Sequence, residues 1–115
     1  MAQTSTSTFT AYFPQTSIIG GTVEEQTRDF TVKPTQGAVD RILISRNGGD
    51  YIVGNSIAVP TQSGGGTGAF YTIWVYRPNP STIRVRLRCS TSSDFTIPAQ
   101  TIDVKVASFE PPNVF

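Results

Sequence analysis

Arg84, Arg86 and Arg88 recur at every second position of TIRVRLRC, Thr82–Cys89, and have the clearest capacity for recognition chemistry in this chain. On a strand, that spacing sets three guanidinium groups along one face at intervals of about 7 Å. Such a row suits phosphates or the carboxylates of a protein partner. The structural alternative is cross-strand pairing with acids, the arginine stems lying over neighbouring apolar side chains. A nucleic-acid track would also need stacking aromatics on the basic face. Only Tyr71 qualifies, so packing or a protein contact is favoured over nucleic acid.

Other chemistries find few residues to work with. The sequence has no histidine and one cysteine, Cys89, which removes His-dependent triads, His-ligated zinc and thiolate zinc sites. Glu24 and Glu25 are neighbours on a strand and so point to opposite faces; Asp29, Asp40, Asp50, Asp94, Asp103 and Glu110 are scattered. Nothing resembles the facing acid pair of a glycosidase, so no catalytic residue, cofactor or metal site is assigned and an enzyme is not expected. Ser63–Gly68 lacks the Lys-Ser/Thr of a phosphate-binding loop and reads as a mobile tip. Asn47-Gly48-Gly49-Asp50 offers calcium only one carboxylate and reads as a hairpin turn. Cys89 reads as a small apolar filler on an inward strand face.

The elements that carry these residues are short strands. Ten glycines and eight prolines punctuate runs rich in Thr, Val, Ile, Phe and Tyr, and no stretch sustains a helical period. Expected strands are 8–13, 23–33, 39–46, 51–53, 56–59, 69–77, 82–89, 95–97 and 101–107, with turns at 20–21 and 34–37. Ile102, Val104 and Val106 should face inward, with Asp103 and Lys105 outward. The fold class is all-β: a two-sheet antiparallel sandwich of seven to nine short strands, jelly-roll or immunoglobulin-like in order. The 115 residues form a single domain, with an extended N-terminal arm at 1–8 and a Pro-rich C-terminal tail at 109–115.

One hairpin decides which face the arginines share. Reading Pro78-Asn79-Pro80-Ser81 as its loop sets Arg77 opposite Thr82. Tyr76, Trp74 and Phe70 then sit beside Ile83, Val85 and Cys89 as a core face. Tyr71, Ile73 and Val75 sit beside Arg84, Arg86 and Arg88. An apolar row on the arginine face implies a covering partner, so these six, with Phe9 and Phe115 in the terminal segments, are the candidate partner contacts. Substituting Val75 with Asp is then expected to leave the domain folded and to abolish assembly.

Composition bounds the setting. Only 15% of residues are charged and the formal net charge is +1, so long-range attraction to nucleic acid or an anionic membrane is weak. No run approaches the roughly 20 apolar residues of a membrane helix. The start, MAQTSTSTFTAYF, has no basic residue and no continuous apolar run, so no signal peptide is expected, and a lone cysteine suits a reducing cytoplasm.

A small all-β domain with few charges, a Thr/Ser-rich arm, a proline-rich tail and no site chemistry resembles the small virion proteins of tailed bacteriophages. Among these it is most similar to capsid decoration or cement proteins. The resemblance implies a non-enzymatic structural protein, made in the host cytoplasm and carried on the virion as a homo-oligomer. It also implies protein-protein interaction with the major capsid protein or other virion proteins, which stabilises the shell. A phage tail or baseplate component is the neighbouring reading. A carbohydrate-binding, lectin-like module is the alternative from another class, with Tyr51, Tyr71, Trp74 and Asn79 as glycan contacts and exposure of Trp74 as its discriminating feature.

Overall fold

Strands make up about three quarters of the backbone described by the computed structural model, which covers residues 3–32, 39–60, 70–91 and 93–109. In chain order they are β1 (Gln3–Phe13), β2 (Thr16–Ile18), β3 (Val23–Thr31), β4 (Val39–Arg46), β5 (Ile52–Val53), β6 (Ser56–Pro60), β7 (Phe70–Asn79), β8 (Thr82–Ser90), β9 (Phe95–Ile97) and β10 (Gln100–Phe109). One four-stranded sheet runs β1-β10-β4-β5, a second runs β3-β8-β7-β6, and β2 pairs with β9. Every pairing is antiparallel. The inward rows of both large sheets meet in one core, giving a sandwich-like all-β fold. Ten strands among the described residues exceed the seven to nine expected. The unforeseen one is β2, where the chain leaves the β1–β10 ladder at Pro14 and pairs elsewhere.

Much of the local reading holds because period-2 alternation is strong there. β4 spans the expected residues, and on β10 Ile102, Val104 and Val106 are buried while Lys105 is exposed. The turn after β4 has two successive positive φ angles, Asn47 at 53° and Gly48 at 74°. Asn tolerates that region and Gly carries no Cβ to clash there. Asn47 also ties the turn to β10: its amide donates to the Thr101 carbonyl at 2.9 Å, and its side-chain oxygen accepts from the Thr101 amide at 3.0 Å.

The β7–β8 hairpin differs from the sequence reading by one residue. Asn79 pairs with Thr82, so the turn is Pro80-Ser81, and Asn79 Oδ1 accepts from the Ser81 amide at 3.0 Å and hydroxyl at 3.1 Å. The register then shifts before Tyr76 meets Arg84, which leaves Arg77 and Pro78 to share the space opposite Ile83. This is a β-bulge. Pro78 suits it, since proline has no amide to give a ladder. Arg77 anchors it through a bidentate bond to Asp40 on β4 (Nε–Oδ2 2.9 Å, Nη2–Oδ1 3.0 Å) and a 2.7 Å bond to the Pro80 carbonyl.

A slip of one residue exchanges the two faces of a strand. Trp74 is therefore opposite Arg86 and Tyr76 opposite Arg84 on the outer face, not in the core. Tyr71, Ile73 and Val75 are the core row of β7, at most 1% exposed, and are not partner contacts. Phe9 turns inward as well and stacks on Phe30 with ring centroids 5.0 Å apart. Gln3 and Ser5–Thr8 of the expected arm are strand, paired with Phe109 and Ser108–Lys105 of β10. Phe115 and the tail beyond Phe109, the Ser63–Gly68 loop and the Pro34–Gly37 turn lie outside the described residues.

Burying a carboxylate at Val75 without a partner should cost about 4 kcal/mol or more. Val75→Asp is therefore expected to unfold the domain. Far-ultraviolet circular dichroism and urea denaturation check this, and a folded variant would favour instead the register without the bulge, in which Val75 faces outward.

Candidate functional site

The arginine row lies on the outer face of the β3-β8-β7-β6 sheet, flanked by acids of β3 and aromatics of β7. Asp29 pairs in register with Arg84, and Glu25 with Arg88. Arg84 holds Asp29 in a bidentate bond (Nε–Oδ1 2.8 Å, Nη2–Oδ2 3.0 Å). Arg86 Nη2 donates to Glu25 Oε2 at 2.9 Å, and Arg88 Nε lies 3.8 Å from the same oxygen. The Arg86 guanidinium also covers the half-buried Trp74 indole, 5.1 Å from its centroid.

This arrangement spends the charge of the row internally. Two carboxylates answer three guanidiniums, leaving the face one positive charge, and Arg88 has the longest ion-pair distance. A phosphate track would have to displace these acids. The cross-strand reading of Arg84, Arg86 and Arg88 is the one the geometry fits, with Arg86 over Trp74 and no arginine over Tyr71, Ile73 and Val75, which face the core. The Arg86 hydrogen bond holds the Glu25 carboxyl below its usual range, and the Arg84 hydrogen bond does the same for Asp29. Burial offsets part of each effect.

A second polar cluster was not legible in the sequence. Arg46 Nε donates to Gln100 Oε1 at 2.8 Å and Nη2 to the Tyr71 hydroxyl at 3.3 Å, while Gln100 Nε2 donates to that hydroxyl at 3.1 Å. Tyr71 and Gln100 are 1% and 2% exposed. Their polar atoms thus satisfy one another, as buried groups must. The cluster ties β7 to β10 and β4, and its role is structural.

Exposed apolar side chains supply a different candidate. Tyr51, Ile52 and Val53 are consecutive and 37%, 46% and 63% exposed; Ile52 and Val53 form β5 against Ile44 and Leu43 of β4, and Tyr51 immediately precedes them. Lys105 Nζ sits 4.2 Å from the Tyr51 ring centroid. The hairpin turn that the sequence does reveal holds this run at the sheet edge. Its exposure was invisible, because β5 looks in sequence like any other short apolar strand.

Cys89 is fully buried, and burial, followed by the nearby Glu24 charge, pushes its thiol up. No cluster of three or more metal-ligating side chains occurs among the described residues, and no described helix is long and apolar enough to cross a membrane. Comparison with known proteins adds no relative: no family model matches the chain, and no curated protein or solved structure matches it.

Two outcomes are expected. Both acids titrate lower when folded, so their stabilisation is present above the unfolded pKa values of about 3.9 and 4.3 and is lost as pH falls through the lowered folded values. Asp29→Asn should thus melt below wild type at pH 7 and converge with it near pH 2, in a thermal melt series across pH. Cys89 should react with a thiol reagent far more slowly than an unfolded thiol and faster as denaturant opens the domain, so labelling at the unfolded-thiol rate in native buffer would contradict its burial.

Proposed function

We propose that this chain is a non-enzymatic structural protein of a virion, built as a two-sheet antiparallel sandwich. Within that class, a capsid decoration protein binding the major capsid protein is the preferred role. The observation that carries the reading is the Tyr51-Ile52-Val53 run, three adjacent apolar side chains held in solvent by a tight hairpin. Exposed apolar side chains gathered at one sheet edge are the kind of surface that marks a contact site. Repetition over many copies on a shell makes modest affinity at each site sufficient. The contact surface is thereby moved from the arginine face, whose charges are paired, to the β5 edge of the other sheet.

The glycan-binding alternative draws on Trp74 and Tyr76 standing on the outer face of their sheet. Its candidate contacts do not converge. Tyr71 is core, Asn79 holds the β7–β8 turn, Tyr51 belongs to the other sheet, and the Trp74 ring is capped by Arg86. The assembly reading is therefore the stronger.

Immunogold labelling of particles purified from the producing cells, with an antibody to this chain, tests the proposal. Label on shells supports decoration, label confined to tails moves the protein to the tail or baseplate, and unlabelled particles overturn the virion reading. A Val53→Lys variant should keep the wild-type melting profile and lose most particle association, measured by co-sedimentation.

A further inference from the structure

The two large sheets end in four edge strands, and three of them are protected against pairing. β5 has two residues, and β6 has five and ends at Pro60. β3 carries Glu24, Glu25, Arg28 and Asp29, on both faces. Short length, proline and charge are the usual means of keeping a sheet edge from adding another strand. β1 has none of these. Its eleven residues, QTSTSTFTAYF, include no charge and no proline, and β10 is its only sheet neighbour among the described residues.

Register locates the open part. Ser5–Phe13 run against β10 without a break, and the irregularity lies between Gln3 and Ser5. At the other end Arg28 Nε donates to the Tyr12 carbonyl at 3.1 Å, so β3 closes the edge there. Between these limits lies Ser5–Ala11, seven residues centred on Thr8.

We propose that this edge pairs antiparallel with the same edge of a second copy about a twofold axis through Thr8, joining two four-stranded sheets into one of eight strands. The occupant follows from the composition of the segment. A twofold at Thr8 sets Thr8 against Thr8 and Thr6 against Thr10 on the outer face, all of them exposed threonines, with the Thr10 hydroxyl also donating to Asp103 Oδ1 at 2.8 Å. Thr–Thr pairs across antiparallel strands are favourable, and with no charge on the segment no like charges face each other in this pairing. On the inner face Ser7 meets Phe9 of the copy, whose ring stacked on Phe30 extends the apolar layer toward the axis. An isologous contact of this kind closes as a dimer and leaves both β5 edges free at the far ends. The inference deepens the assembly reading, giving each particle contact two copies of the Tyr51–Val53 run, but it does not depend on that run.

The test uses the full chain. Light scattering at tens of micromolar should give the mass of a dimer. Thr8→Lys, an exposed substitution that sets two ammonium groups across the axis, should weaken that dimer by about tenfold or more while preserving the circular dichroism spectrum. Thr8→Cys should form an intermolecular disulfide on mild oxidation, since facing residues of antiparallel strands lie within disulfide reach. Tyr12→Cys, four positions from the axis, should not. A monomeric wild type, a dimer indifferent to Thr8→Lys, or equal cross-linking at positions 8 and 12 would each overturn the proposal. Val53→Lys should leave the dimer intact, so loss of particle binding and loss of dimer are read separately.

Discussion

The extra residue at Arg77-Pro78 fixes which side of β7 enters the core, and most of the second sheet follows from it. With the bulge, β7 and β8 present Tyr71, Ile73, Val75 and Ile83, Val85, Leu87, Cys89 to the same interior. Without it, the apolar row of one strand would face the apolar row of the other through the sheet plane, and neither would close a core. Arg77 holds the shift through two bonds to Asp40 on the opposing sheet. Its side chain and that of Asp40 are only 17% and 18% exposed, so solvent screens the pair less than it screens the ion pairs outside. The same interaction therefore sets register and fastens the two sheets together.

With register settled, the arginine ladder becomes a closed surface. Arg84 has Asp29 across the strand, Arg86 and Arg88 share Glu25, and Arg86 is further committed to the Trp74 ring. An anionic ligand on this face gains little, because it would compete with Asp29 and Glu25 for the same guanidiniums. A run of three exposed apolar residues, Tyr51–Val53, lies elsewhere, at the β5 edge of the other sheet. The arginine face thus spends most of its charge on itself, while that edge offers side chains that water does not stabilise.

What could be read from the sequence was whatever local periodicity determines. β4, β9, the Asn47-Gly48 turn and the inward row of β10 depend on alternation and turn chemistry within a few residues, and these were legible. The face of Tyr71, Ile73 and Val75 depends on a bulge that no alternation announces, since both β7 rows are apolar or aromatic and either could pass for core. The Arg46–Tyr71–Gln100 cluster joins residues more than fifty positions apart, and nothing near Gln100 marks it as buried. Gln3–Thr8 resembled a free arm because Ser and Thr are common in such segments. Their pairing partner, Lys105–Phe109, lies near the opposite end of the chain.

That separation has a consequence for the life of the chain before it is folded. Phe13 pairs with Gln100, and Ser5 with Ser108, so β1 has no ladder partner until nearly the whole sequence has been made. At roughly 5–20 residues per second of synthesis, the strand waits on the order of five to twenty seconds. A sticky hydrocarbon segment would spend that interval seeking other nascent chains. Hydroxyl groups on Thr4 to Thr8 and on Thr10 keep β1 well hydrated through the delay, which gives its serines and threonines a purpose during translation as well as in the finished sheet.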